Sequence, residues 1–161
     1  MLSQQLASYR FMRSMLEGYC ADLSPEDVGD RHGFLNPPGW IVGHLAVVFD
    51  MLAKTLGGEA KCPNSWHALF GRGSDIDRAV AEMPPLAELV AVHKERADAV
   101  EALLEAADEA DFAGPHDFDL FKGRGMDSVA DLVGHVLTSH YAFHTGQFSM
   151  WRRAKGHAPL F

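Results

Sequence analysis

Two histidines, His140 and His144, lie four residues apart near the end of the chain. In an α-helix this spacing places both imidazoles on one face, about one turn apart. Apolar residues recur around the pair at three- and four-residue steps, so both histidines occupy positions where a core-facing helix normally carries apolar side chains. These apolar residues are Val129, Leu132, Val133, Val136, Leu137, Phe148 and Trp151. The pair predicts a metal site or, alternatively, buried histidines that hydrogen-bond to backbone carbonyls.

Two further histidines, His44 and His93, fall on the apolar stripes of two other predicted helices. If the last helix runs antiparallel to these two, His44, His93 and His144 lie at similar levels. Three neutral imidazoles suit a divalent transition metal such as Zn, Ni or Fe, and an open coordination position permits catalysis. We therefore predict His44, His140 and His144 as metal ligands. His93 is a candidate for a further ligand or for a hydrogen-bond partner of a ligand.

Other residues near the predicted ligands have two interpretations each. Gln147 could orient a ligand or contact substrate, or it could form a hydrogen bond between helices. Trp40, one turn before His44, could line a pocket or pack in the core. Gly146 is interpreted as permitting close helix approach. His135 is at least about 140° from both members of the histidine pair around a regular helix, so we predict that it faces elsewhere. The remaining histidines, in linkers or the tail, are predicted to be solvated: His32, His67, His116 and His157.

Four segments with helical periodicity have to position these side chains, and they predict an all-α, four-helix bundle. They run from about Ser3 to Tyr19, from after Asn36-Pro37-Pro38 to Leu56, from about Leu86 to Ala107, and from Asp127 or Ser128 to about Ala154. The long linker between the second and third helices could run the length of a helix, which predicts an up-down-down-up topology. Trp66, Leu69 and Phe70 indicate that part of this linker packs down. The alternating segment Asp117 to Phe121 predicts a short strand or an extended loop.

Composition limits the class of protein. The chain has 161 residues, of which 47% are hydrophobic, and this length predicts a single domain over residues 1–161. The net charge of −8 argues against general binding to nucleic acid or to an anionic membrane. Cys20 and Cys62 do not form a disulfide framework, and the first residues lack the pattern of a signal peptide, so we expect a cytoplasmic protein. No apolar run approaches the roughly 18 residues that span a bilayer.

The chain resembles the DinB-like (DinB/YfiT-like) superfamily of metal-binding four-helix bundles. The matching residues are Trp40-Ile41-Val42-Gly43-His44-Leu45, His140-x-x-x-His144-x-Gly146-Gln147 and the closing Arg152-Arg153-x-x-Gly156-x-x-Pro159-Leu160-Phe161. The resemblance implies the up-down-down-up bundle, a metal held by one histidine of the second helix and two of the fourth, and frequent homodimers. Characterised relatives include transferases that use a low-molecular-weight thiol, such as bacillithiol or mycothiol, and a mycothiol-dependent maleylpyruvate isomerase.

Three functions follow from these observations. The first is an enzyme acting on a small molecule, in which the metal lowers the pKa of a thiol or of water. A thiol-dependent S-transferase is favoured over a hydrolase, because Asp50 lies about 120° from His44 on its helix and no carboxylate is available as a general base. The second is a non-catalytic module that binds a metal or a small ligand, favoured if His93 closes the coordination sphere. The third is a helical interaction protein without a metal.

The predicted site also has a predicted entrance. Because it lies towards the start of the second and third helices, residues 23–40, residues 75–85 and the C-terminal tail are expected to shape the mouth of the pocket. Two Gly-Arg-Gly segments lack the strand and helix context of phosphate-binding loops and are predicted to be simple turns. They are Gly71-Arg72-Gly73 and Gly123-Arg124-Gly125.

Overall fold

The long stretches of helical periodicity fold as helices, and helices are the regular structure of the part of the chain that the computed structural model describes. That part comprises residues 2–33 and 35–160, apart from the side chain of Glu109. In chain order the α-helices are α1 (Leu2–Cys20), α2 (Pro25–Val28), α3 (Pro38–Thr55), α4 (Asn64–Phe70), α5 (Ile76–Ala81), α6 (Leu86–Ala106), α7 (Val129–His135) and α8 (Tyr141–Lys155). A 3₁₀ turn covers Glu109–Phe112, and a π-helical turn at Val136–His140 joins α7 to α8.

The four predicted long helices are confirmed as α1, α3, α6 and the continuous α7–α8 unit. The all-helical bundle is therefore the observed fold class, while the up-down-down-up order of helix directions stays a prediction. Phe161, the last residue of the C-terminal motif, lies outside the described residues. No helix among the described residues combines the length and the apolar character that crossing a membrane requires.

Local sequence signals explain where these helices begin and end. Pro38 occupies the first turn of α3, where its missing N–H costs no helical hydrogen bond. Ser128, one of the two residues at which the fourth helix was predicted to begin, caps α7: its Oγ accepts from the Asp131 N–H at 3.2 Å, and Asp131 Oδ2 accepts from the Ser128 N–H at 3.0 Å. Gly156 ends α8 with a φ of 83°, a left-handed conformation that glycine adopts without strain.

Helix α3 is the centre of the bundle. Fourteen of its 18 residues are buried, which is the expected result for a helix that is apolar around its whole circumference. Tyr9 of α1 stacks on Phe49 of α3 with ring centroids 5.3 Å apart, and it meets Tyr141 of α8 edge-on at 5.0 Å. These aromatic contacts join three helices in the middle of the core.

The crossover between α3 and α6 is a folded segment with two short helices, α4 and α5. The prediction that part of it packs down is confirmed, since Trp66, Leu69 and Phe70 are buried. Buried polar contacts attach the crossover as well. The fully buried Asp50 carboxylate accepts from the Lys61 N–H at 2.6 Å and from the Cys62 N–H at 3.1 Å.

The segment before α7 adopts the loop that was one of its two predicted forms. Residues 116–118 have no regular secondary structure, and turns follow over residues 119–125. His116, predicted to be solvated, is buried instead, and its Nε2 lies 2.8 Å from the Met126 carbonyl oxygen. The loop packs Phe118 and Phe121 against the hydrophobic core.

Candidate metal centre

The three histidines predicted as ligands come together. One ring nitrogen from each of His44, His140 and His144 lies within 4.8 Å of the others. The Nε2 atoms of His44 and His140 are 3.3 Å apart. A tetrahedral site with metal–nitrogen bonds of about 2.1 Å has edges of about 3.4 Å, so the ligand atoms need only small shifts to surround one ion.

The orientation of His44 is set by its hydrogen bond to the crossover. Its Nδ1–H donates to the Phe70 carbonyl oxygen at 2.7 Å, and because a carbonyl can only accept, Nε2 is the nitrogen with a free lone pair. Gly43 makes this contact possible, since a Cβ at that position would lie 2.7 Å from the Phe70 ring. The Gly-His pair in the sequence motif thus allows Phe70 to approach α3 and fixes the tautomer of the histidine.

Trp40 packs directly on this histidine. The two rings are stacked, with centroids 4.8 Å apart and planes 8° from parallel. The indole Nε1–H donates to Ser74 Oγ at 3.0 Å, which attaches the segment after α4 to α3. Trp40 is buried and also lines the cavity described below, so both interpretations of this residue apply.

Gln147 orients His144 in a similar way. Its Oε1 accepts from His144 Nδ1–H at 2.9 Å, which leaves Nε2 of His144 as the free nitrogen. Of the two interpretations of Gln147, the contact supports the one in which it positions a ligand. Gly146 does not mediate a close helix contact, because a Cβ at this exposed position would meet nothing within 4 Å.

The π-helical turn changes which residues face the site. His140 ends this turn, and a π-helix places residue i+5 over residue i. His135 therefore lies beside His140, with ring centroids 5.6 Å apart, and its Nδ1 is 2.8 Å from Ser139 Oγ. The prediction that His135 faces elsewhere is wrong, because it assumed a regular α-helix. His135 lines the cavity but does not belong to the three-histidine group.

His93 lies elsewhere in the core. It is 2% exposed, its ring contacts Phe49, and its Nε2 is 3.2 Å from the Tyr141 hydroxyl oxygen. Among the described residues it is not part of the histidine group. The structure does not bring His93 to the ligands, because a similar level along the bundle does not determine the direction of a side chain around its helix.

The electrostatic environment keeps the three histidines neutral. Burial, with smaller contributions from the neighbouring histidines, lowers the pKa of His140 to about 3. Burial likewise lowers the pKa of His144 to about 4, and it lowers the pKa of His44. The buried Nδ1 of His140 has no hydrogen-bond partner among the described residues. Neutral imidazoles with free nitrogens are the form that binds a transition metal, so the donor set fits such an ion.

The three histidines form the floor of an open cavity of about 690 Å³. Its apolar walls come from α3, from the α7–α8 unit and from the loop before α7, and they consist of Val47, Val48, Met51, Leu52, Phe118, Leu120, Phe121, Leu132, Val136 and Phe143. A cavity of this size and lining can hold a small organic molecule.

The loops that line the cavity differ from those predicted to shape its mouth. Asn36 and Trp40 of the predicted segment 23–40 line it, but the other loop residues that do so are 71–73 and 118–121. Residues 23–26, 28–30, 80 and 83–86 line a separate groove. The hydrogen bond from His44 to Phe70 explains the shift, because it brings the turn after α4 to the site. The sequence reasoning missed Arg72 in this turn, although its two flanking glycines indicated a tight backbone.

Comparison with known protein families identifies the superfamily of the chain. The DinB superfamily model matches residues 8–148, a range that includes all three histidines of the group. Comparison with curated proteins and with solved structures gives no match. Since the matched range covers most of the 161 residues and the fold is a helical bundle, the chain belongs to the DinB superfamily.

Proposed function

We propose that this protein is a metal-dependent enzyme that transfers a low-molecular-weight thiol to an electrophilic small molecule, with His44, His140 and His144 as the metal ligands. The observation that carries the proposal is the convergence of three neutral imidazoles on the floor of an open apolar cavity. A structural metal site is closed by protein ligands, whereas a catalytic one keeps a position for substrate or water. No fourth histidine, cysteine or carboxylate joins the group among the described residues, which supports a catalytic site.

A divalent ion held by three imidazoles supplies Lewis-acid activation, which lowers the pKa of a thiol or water. The residues of the chain have the supporting roles. The Phe70 carbonyl oxygen and Gln147 Oε1 accept hydrogen bonds from the Nδ1–H groups of His44 and His144. Each ring is thereby held in the tautomer that leaves Nε2 without a proton. The apolar walls would exclude water and bind the hydrocarbon part of the substrate. In the proposed reaction the thiol sulfur bonds to the electrophilic carbon, the carbon's leaving group departs with its electron pair, and the thiol proton goes to solvent.

The distribution of carboxylates favours a thiol over water as the nucleophile. Asp119 is the one acidic residue among the described residues that line the cavity; it is 92% exposed and pairs with Lys122 at 2.8 Å. Asp50 is buried and accepts backbone N–H groups of the crossover. Hydrolysis commonly uses a general base to take a proton from water, while a thiol with a pKa of about 8.5 needs less assistance.

Metal analysis combined with a conjugation assay tests the proposal. Purified protein is reconstituted with Zn, Ni or Fe, and thiol consumption is followed with bacillithiol, mycothiol and a panel of electrophiles. We expect metal-dependent conjugation that is lost in His144→Ala and retained in His32→Asn. His32 is an exposed histidine with a φ of 40°, a conformation that asparagine tolerates.

Three results would contradict the proposal. Conjugation that survives complete metal removal would show that the histidine group does not supply the activity. Metal binding without turnover of any thiol or water substrate would favour the alternative function, a non-catalytic module that binds a metal or a small ligand. Hydrolysis of the panel in the absence of thiol would instead identify the protein as a metal-dependent hydrolase.

A further inference from the structure

The turn Gly71-Arg72-Gly73 is attached to the metal centre on both sides. Before the turn, the Phe70 carbonyl oxygen accepts the His44 Nδ1–H at 2.7 Å. After it, Ser74 Oγ accepts the Trp40 Nε1–H at 3.0 Å. Because His44 and Trp40 are one helical turn apart on α3, the two hydrogen bonds hold the intervening turn at a defined place on the rim of the cavity.

Both glycines are required for the backbone of this turn. A Cβ on Gly71 would lie 2.3 Å from the His67 carbonyl oxygen, and Gly73 has a φ of 76°. Side chains other than that of glycine would therefore clash or strain the turn. Arg72 is consequently the one residue of the turn with a side chain, and it is exposed at the rim.

The charge of Arg72 has no partner among the described residues. The side chain makes no ion pair or side-chain hydrogen bond with any described residue, although the chain has 22 acidic residues and 14 basic ones. Nearby arginines do pair: Arg31 lies 2.8 Å from Asp77, and Arg78 lies 2.8 Å from Glu82. A cation at the rim of an apolar cavity, left free in an acidic protein, is available to an anionic ligand.

Resting on the proposed function, we propose that the substrate is an apolar small molecule that carries a carboxylate, and that Arg72 binds this carboxylate. The guanidinium group offers two parallel N–H donors that match a carboxylate. The apolar part of the substrate lies against Val48, Met51 and Leu120, which line the same cavity. Arg72 thus determines specificity, while the histidines hold the ion.

Binding of two matched probes tests this assignment. The probes are 4-phenylbutanoate and 4-phenylbutan-1-ol, which share an apolar body and differ in charge. Their affinities are measured by calorimetry on the full chain, both zinc-loaded and metal-free, for wild type, Arg72→Gln and Arg124→Gln. Arg124 is the matched control, because it stands between two glycines as Arg72 does but does not line the cavity. We expect the acid to bind about 10-fold more tightly than the alcohol to wild type and to Arg124→Gln, and equally to Arg72→Gln, because a charge-assisted hydrogen bond is worth roughly this factor.

The metal-free comparison separates this inference from the proposed function. Binding of neither probe, equal binding of both by wild type, or a preference that persists in Arg72→Gln would each overturn the role of Arg72. A preference lost in Arg72→Gln supports that role even if the wild type binds no metal, a result that would contradict the proposed function alone. The preference should also decrease as salt is added, since the Arg72 side chain is exposed.

Discussion

The bundle buries histidines in two places that resemble each other in sequence and differ in chemistry. His93 and the metal-centre histidines all lie on apolar stripes, and burial lowers the pKa of both His93 and His140 to about 3. His93, however, is enclosed by Phe49 and Tyr141 and has a polar partner in the Tyr141 hydroxyl. Burial and a low pKa therefore do not by themselves distinguish a ligand from a core histidine.

The number of imidazole nitrogens that lie together makes the difference. In the three-histidine group, the Nδ1–H groups of His44 and His144 are paired with oxygen atoms, and one ring nitrogen of each of the three residues lies within 4.8 Å of the others. Nε2 of His44 can only accept, so its 3.3 Å hydrogen bond to His140 requires a proton on Nε2 of His140 and leaves the buried Nδ1 of His140 without a partner among the described residues. A cation among these nitrogens would satisfy several lone pairs at once, whereas the His93 contact needs no ion. The following predictions test this contrast in order of decreasing effect.

Loss of a ligand should have the largest effect. In His144→Ala the affinity for zinc should fall by more than about 100-fold, since residues that merely orient ligands are worth 10- to 100-fold. His93→Gln should change the affinity by less than about 3-fold, because His93 is outside the ligand group. Competition with a chelating dye measures both values. Equal losses of zinc affinity in the two variants would contradict the distinction between His144 as a ligand and His93 as a core residue.

Replacing the partner of a ligand should have the next largest effect. Gln147→Leu removes the oxygen that accepts the His144 Nδ1–H, so zinc affinity should fall by about 10- to 100-fold. Gln147→Glu is the control, because it keeps an acceptor of the same length, and it should retain most of the affinity. Unchanged zinc binding in Gln147→Leu would show that this hydrogen bond does not position the ligand.

Loss of the contact between Tyr141 and His93 should lower the stability of the protein and leave metal binding unchanged. Tyr141→Phe removes the polar partner of His93 Nε2, which should lower the free energy of unfolding by about 1–3 kcal/mol. Urea denaturation measures this loss, and zinc titration of the same variant should reproduce the wild-type affinity. If Tyr141→Phe has the stability of the wild type but binds zinc weakly, Tyr141 and His93 would belong to the metal site and not to the core.

The pH dependence of stability should contain a contribution from His93. Its pKa is about 3 in the folded protein and about 6.5 when unfolded, so between these values the unfolded state binds the extra proton. The free energy of unfolding of the metal-free protein should therefore fall as the pH drops below about 6.5, with up to about 1.4 kcal/mol per pH unit from this residue. Urea denaturation between about pH 7 and pH 5 should give a smaller slope for His93→Gln. An equal slope would contradict this assignment.

Much of this arrangement could be predicted from local patterns. The helical periodicity predicted the long helices, and the spacing of His140 and His144 indicated that they share a face. The apolar stripe around His44 indicated a packed environment, and the tryptophan one turn earlier was predicted to line a pocket or to pack in the core. These predictions succeeded because residues a few positions apart decide them.

Features that depend on distant contacts could not be predicted in this way. The π-helical turn, which brings His135 to the cavity, is a local change in hydrogen bonding that no residue pattern specifies. The hydrogen bond from His44 to the Phe70 carbonyl decides that the turn with Arg72 forms the rim, and it joins residues 26 positions apart. The direction of His93 around α6 likewise depends on its packing against Tyr141.

Metal content per chain tests the central claim most directly. The full chain is reconstituted with zinc, dialysed to remove loosely bound ions and analysed for zinc by mass spectrometry, beside His44→Ala and the His32→Asn control. The convergence of His44, His140 and His144 predicts close to one zinc ion per chain in wild type and in His32→Asn, and almost none in His44→Ala. A wild-type protein that retains no zinc, or a His44→Ala variant that retains as much as wild type, would contradict the account.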